Sequence, residues 1–136
     1  MRAIDTNVVV RILVRDDPDQ AAAADVFIGG GAWVSLLVLI ETAWVLCSVY
    51  ERTPAQIALG IELLLDHEAI VVQDADLAGR AVDEFRKHPT IGFSDCLIVE
   101  QARKSGHLPI GTFDRTLARL RGVERFSASA GGRHAR

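Results

Sequence analysis

Short apolar runs alternate with longer mixed stretches along the chain, and Gly, Pro and capping residues punctuate them. Arg2 to Ile4 reads as a short strand that runs into Asp5-Thr6-Asn7, three residues suited to capping a helix. The β-branched run Val8 to Val14 fits helix or strand, and the cap before it decides for helix. Asp16-Asp17-Pro18 is a turn and a second helix start, with the helix Asp19 to Ile28 stopped by Gly29-Gly30-Gly31. A second strand, Ala32 to Ser35, leads into the apolar helix Leu36 to Val49. Thr53-Pro54 with Gln56 starts a helix to about Asp66, and Ala69 to Val72 is a third strand. Asp74 caps a helix to about His88, a loop covers 88–92, and Ser94 and Asp95 open the next helix, which ends at 104–106. Strand Leu108 to Phe113, a short helix Arg115 to Arg121 and strand Val123 to Phe126 complete the pattern. Strands alternating with helices imply a mostly parallel sheet of about five short strands covered on both faces, a three-layer α/β/α domain. That domain takes in residues 1–126, and the Gly/Ser/Ala/Arg-rich stretch 127–136 reads as a disordered tail.

The helix Leu36 to Val49 poses a chemical question. Glu41 lies in its middle, and the residues three and four positions away are Leu37, Val38, Trp44 and Val45, all apolar. Such a carboxylate is expected to face the core. There an ionised group is costly unless it is paired or bound to a metal. It is protonated, or an arginine meets it, or a cation does.

Composition narrows the classes. At 136 residues the chain has the length of one domain, and 49% hydrophobic residues suffice for a core. A net charge of −3 gives no bulk attraction to nucleic acid, so any such contact needs local basic patches. Cys47 and Cys96 are far apart with no CxxC and read as buried free thiols of a cytoplasmic protein. Charges at Arg2, Asp5 and Arg11 argue against a signal peptide, and the apolar run Ala32 to Ile40 is too short to span a bilayer.

In parallel sheets, sites form beyond the carboxyl ends of the strands. Asp5 closes the first strand, Asp114 closes the fourth, Glu41 lies in the first two turns after the second, and Asp95 begins a helix. Taken singly, Asp5, Asp95 and Asp114 look like helix caps. Taken together, four acids from four segments could converge on one edge of the sheet. Two unit charges about 5 Å apart repel by roughly 3 kcal/mol at an effective dielectric near 20. A hard divalent ion, Mg²⁺ or Mn²⁺, is the natural occupant. Zinc is not indicated, because His67, His88, His107 and His134 are scattered.

The IDTN segment Ile4 to Asn7, the Glu41 of VSLLVLIETAW, the Asp95 of FSDCLI and the Asp114 of GTFD resemble the four acidic motifs of PIN domains. Length and motif order resemble the VapC-type toxins of bacterial toxin–antitoxin pairs. The resemblance implies a PIN-like fold and a metal-dependent ribonuclease. Asp5, Glu41, Asp95 and Asp114 would be catalytic: Asp5 and Asp95 as direct metal ligands, Glu41 and Asp114 directly or through water. Thr6, Asn7 and Thr112 would support them. It also implies an antitoxin partner, and the apolar helices of the first half offer a homodimer face. Arg11 with Arg15 and Arg115 with Arg119, each pair four apart, are candidates to contact RNA phosphates.

Other classes remain. The same acids suit a catalytically silent PIN-like module that only anchors a partner, or a DNA nuclease, since carboxylates do not read a 2′-hydroxyl. A dehalogenase-type phosphatase wants a DxD pair after the first strand, where this chain has Asp5-Thr6-Asn7. A receiver domain wants a lysine at a late strand end, and Lys87 and Lys104 both fall in helices.

Overall fold

The computed structural model describes residues 1–128. The expected tail lies almost entirely outside them. Three parallel strands, β1 (Arg2–Ala3), β2 (Ala32–Val34) and β3 (Ile70–Val72), hydrogen-bond in that order, with Ala3 beside Trp33 and Trp33 beside Val71. A second parallel ladder joins β4 (Ile110–Thr112) to β5 (Val123–Arg125), with Thr112 beside Arg125. The helices α1 (Thr6–Val14) and α2 (Pro18–Ile28) connect β1 to β2, and α3 (Leu36–Ser48) and α4 (Pro54–Asp66) connect β2 to β3. From β3 the chain passes through α5 (Ala75–Lys87) and α6 (Phe93–Lys104) to β4. This is the expected α/β/α arrangement with five short strands, divided into ladders of three and two.

The helix starts follow from local chemistry. Asp5 caps α1 by accepting from the Val8 N–H at 3.1 Å. Asp17 accepts from Gln20 N–H ahead of Pro18, Ser35 accepts from Val38 N–H, and Thr53 and Gln56 form a reciprocal capping box ahead of Pro54. Asp74 departs from the expectation of a cap. It sits at φ 51° with no capping hydrogen bond, and its carboxylate takes the Lys104 ammonium at 2.6 Å instead. The expected helix Arg115 to Arg121 is a single 3-10 turn, Leu117–Arg119.

The core is built from Val9, Val34, Leu39, Ile61, Leu64, Leu77, Val82 and Val99, all essentially inaccessible. At one corner Arg11 donates to Gln20, Asp16 and Tyr50 at 2.6, 2.9 and 3.0 Å, locking α1 to the start of α2 and the end of α3. At the opposite end of the chain Glu100 on α6 is 6% exposed. Arg103 lies 3.4 Å from it and Arg80 of α5 lies 3.9 Å away. Arg103 also donates to the Arg121 carbonyl at 2.6 Å, tying the β4–β5 segment to α6.

Candidate functional site

The sequence reading of Glu41 needs correction. Its side chain is exposed, and so are Leu37 and Trp44, each at 67%. The buried face of α3 is Leu39, Thr42, Ala43 and Leu46. A helix apolar all round gives no amphipathic signal, so the sequence did not show which face turns inward. The burial question therefore dissolves, and Glu41 meets a hydroxyl. Thr6 Oγ1 donates to Glu41 Oε1 at 2.7 Å, joining the first turn of α1 to the second turn of α3 across 35 residues of sequence.

Two cavities flank this contact. Asp5 and Asn7 line one of about 500 Å³ between α1 and α2, together with Val8, Arg11 and Phe27. Thr6, the residue between them, lines the other, of about 600 Å³. That second cavity also takes Glu41 and Trp44 from α3, Arg52, Phe85 from α5 and Ser94 from the first turn of α6. Segments carrying three of the four acids thus border it, through Thr6, Glu41 and Ser94. Asp95 itself is half-buried beside Ser94. Asp114 lines neither cavity. It is exposed, accepts from the Thr116 N–H at 2.8 Å, and receives Thr112 Oγ1 as acceptor for its own N–H at 3.0 Å. Thr112 is thus a turn former here.

Among the described residues, no three Asp, Glu, His or Cys side chains stand close enough together to hold a metal ion. The donor chemistry nonetheless fits a hard divalent cation, for the motif positions offer carboxylate and hydroxyl oxygens and no imidazole. Asp5, Glu41 and Asp114 each accept one hydrogen bond on one carboxylate oxygen, from Val8 N–H, Thr6 Oγ1 and Thr116 N–H, which leaves the other oxygen of each free of those bonds.

Against this geometry, the PIN domain family model matches residues 3–123. The chain belongs to the PIN domain family. PIN domains are typically metal-dependent nucleases, so at that level the chain is a hydrolase with nucleic acid as its class of partner. No match was found among curated proteins. The model's span covers the positions of all four acids in this PIN domain, from Asp5 to Asp114.

The expected RNA-contact arginines divide. Arg11 and Arg15 are committed internally, Arg15 holding Asp25 through two bonds of 3.2 and 2.6 Å. Arg115 and Arg119 are exposed and, among the described residues, their side chains form no ion pair or hydrogen bond. Both cysteines are free thiols as expected. Cys47, however, is exposed at the second cavity, because it shares the outward side of α3 with Trp44. Cys96 is buried, and desolvation, with Glu84, Asp95 and Glu100 adding to it, pushes its thiol up to about 12. Sequence reasoning missed Ser94, Trp44 and Arg52. Only Ser94 carried a signal, its place directly before Asp95. No described helix is long and apolar enough to cross a membrane.

Proposed function

We propose that this PIN domain is an Mg²⁺- or Mn²⁺-dependent endoribonuclease that acts as the toxin of a toxin–antitoxin pair. The observation that carries the reading is the convergence of Thr6, Glu41 and Ser94, from three motif segments, on one cavity within the family match. Asp5 and Asp95 are the proposed direct ligands, with Glu41 and Asp114 completing the site. A divalent cation held there supplies Lewis acidity at a phosphate oxygen and a more acidic bound water. The chain's own contribution is positional. Thr6 restrains the Glu41 carboxylate, the first turns of α1 and α6 fix Asp5 and Asp95, and Arg115 and Arg119 offer uncommitted positive charge for a phosphate backbone.

Purified protein should cut RNA in Mg²⁺ or Mn²⁺, stop in chelator, and stop on Asp95→Asn with folding intact. Undiminished cleavage in chelator sinks the metal mechanism, and cleavage of DNA at equal rate sinks the RNA assignment. A second reading, a silent PIN-like module that anchors a partner, is favoured by the lack of a gathered acidic cluster among the described residues. It expects no cleavage under any metal. The toxin role expects growth arrest on expression, relieved by a co-expressed antitoxin. The exposed Leu37, Trp44 and Val49 of the α3 region offer apolar surface for that partner or for a homodimer, which sedimentation with and without the partner distinguishes.

A further inference from the structure

Two phenylalanines stand together on the surface beside Asp114. Phe113 directly precedes the acid, and Phe126 directly follows β5. Their ring centroids are 4.4 Å apart with the planes 50° to one another. Phe126 lies over the backbone of Gly111, where an added Cβ would stand 3.1 Å from Phe126 Cε1. The pair is therefore seated by a residue without a side chain. Despite that seating, Phe113 is 61% exposed and Phe126 45% exposed. Two rings that only closed the end of a ladder would turn those faces inward, since open aromatic surface forgoes hydrophobic stabilisation.

The surroundings are basic. From Phe113 to Phe126 the chain carries Arg115, Arg119, Arg121 and Arg125 against Asp114 and Glu124, within a chain of net charge −3. Arg125 Nε donates to the Phe113 carbonyl at 3.3 Å, which sets a guanidinium against the backbone that carries the first ring. Arg115 and Arg119 are uncommitted among the described residues, as noted above. Exposed aromatic faces on a segment richer in arginine than in acids are the chemistry that takes a stacked base on the ring and a phosphate on a cation.

We infer that Phe113 and Phe126 form a stacking platform for an unpaired nucleobase of a single-stranded RNA, next to the position where Asp114 would act. The inference rests on the nuclease reading and deepens it. The occupant is a base and not an apolar protein surface, because the arginine surplus complements a polyanion. A base inside a duplex is already stacked on both faces, so the platform selects strands whose bases are free.

The test uses the full chain and four proteins: wild type, Phe113→Leu, Phe126→Leu and the double Phe113→Ala/Phe126→Ala variant. Leucine keeps the apolar bulk and removes the ring, so it answers for any loss of folding in the alanine pair. Binding is read by fluorescence anisotropy in chelator. The probes are a labelled single-stranded RNA 12-mer, the same sequence as duplex, and an abasic backbone of equal length. Stacking is worth enough that the double variant should bind the single strand about 5- to 150-fold more weakly. Binding of the abasic backbone should stay within about twofold, since phosphate contacts persist. Equal binding of the single strand by wild type and both leucine variants overturns the inference. So does a parallel loss on the abasic backbone, or a dimer in sedimentation that only the aromatic variants lose. If those variants keep wild-type kcat/KM for chelator-sensitive RNA cleavage, the platform fails and the nuclease reading stands. If wild type neither binds nor cleaves RNA, both fall.

Discussion

Asp5 has a capping role and a proposed ligand role, which substitution can separate. Its Oδ1 accepts from the Val8 N–H at 3.1 Å and so caps α1, while the proposed chemistry needs its negative charge. Asparagine caps as well as aspartate, and alanine does not cap. Losing such a cap costs about 1 kcal/mol. Unfolding entropy scales with length, so for 136 residues each kcal/mol moves the melting temperature by about 3–4 °C. Asp5→Ala should therefore melt about 3–4 °C low, while Asp5→Asn should melt within about 1 °C of wild type. Residues one step out from a bound metal typically matter about 10–100-fold, so losing a direct ligand should cost at least about 100-fold in cleavage for both variants. The measurements are calorimetry and initial rates on one RNA. An Asp5→Asn protein that cuts normally would refute the ligand role. One that melts as low as Asp5→Ala would refute the cap.

Three further outcomes are expected. Thr42 is fully buried and its hydroxyl is the one such side-chain oxygen without a partner among the described residues. Thr42→Val should thus raise the melting temperature by about 3 °C, reflecting about 1 kcal/mol of relieved desolvation, and a lower melting point would show that the hydroxyl is satisfied. Native protein should take one iodoacetamide label, at Cys47, because Cys96 is buried with its thiol pushed up to about 12; two labels by mass before unfolding would contradict this. Arg15 and Arg86 hold Asp25 and Glu62 below the usual carboxylate range, each chiefly through a side-chain hydrogen bond. A folded value below the unfolded one means stability present above about pH 4 and lost as pH falls through the folded value, so Arg86→Ala should flatten the acid limb of the stability profile slightly, and an unchanged limb in urea titrations would count against the pairing.

Much of the fold was legible because its signals are local. The capping segment at Asp5, the turn with Pro18 and the Thr53-Pro54-Gln56 arrangement mark three helix starts within a residue or two. Asp74 misled because a cap and an ion-pair partner look alike until Lys104, thirty residues on, is placed. Orientation was the weaker inference. Leu37, Glu41 and Trp44 share a face of α3 that the apolar neighbours made look internal, yet burial there was decided by which of several apolar faces met α1, α4 and α6. The four acids of the motifs lie within the span of the family match, and the hydroxyl contact between Thr6 and Glu41 left no mark in the sequence. No sequence pattern distinguishes a carboxylate that awaits a cation from one that accepts a proton donor 35 residues away.

The division into two ladders has a thermal corollary. Asp5, Glu41 and Asp95 lie in or border helices of nine or more residues, whereas Asp114 follows a two-stranded ladder only three residues long that joins the core through Leu117 and Leu120. Segments so short come loose at a smaller free-energy cost than the whole chain requires to unfold. Any activity that depends on Asp114 therefore fades, on warming, while helical ellipticity is still intact.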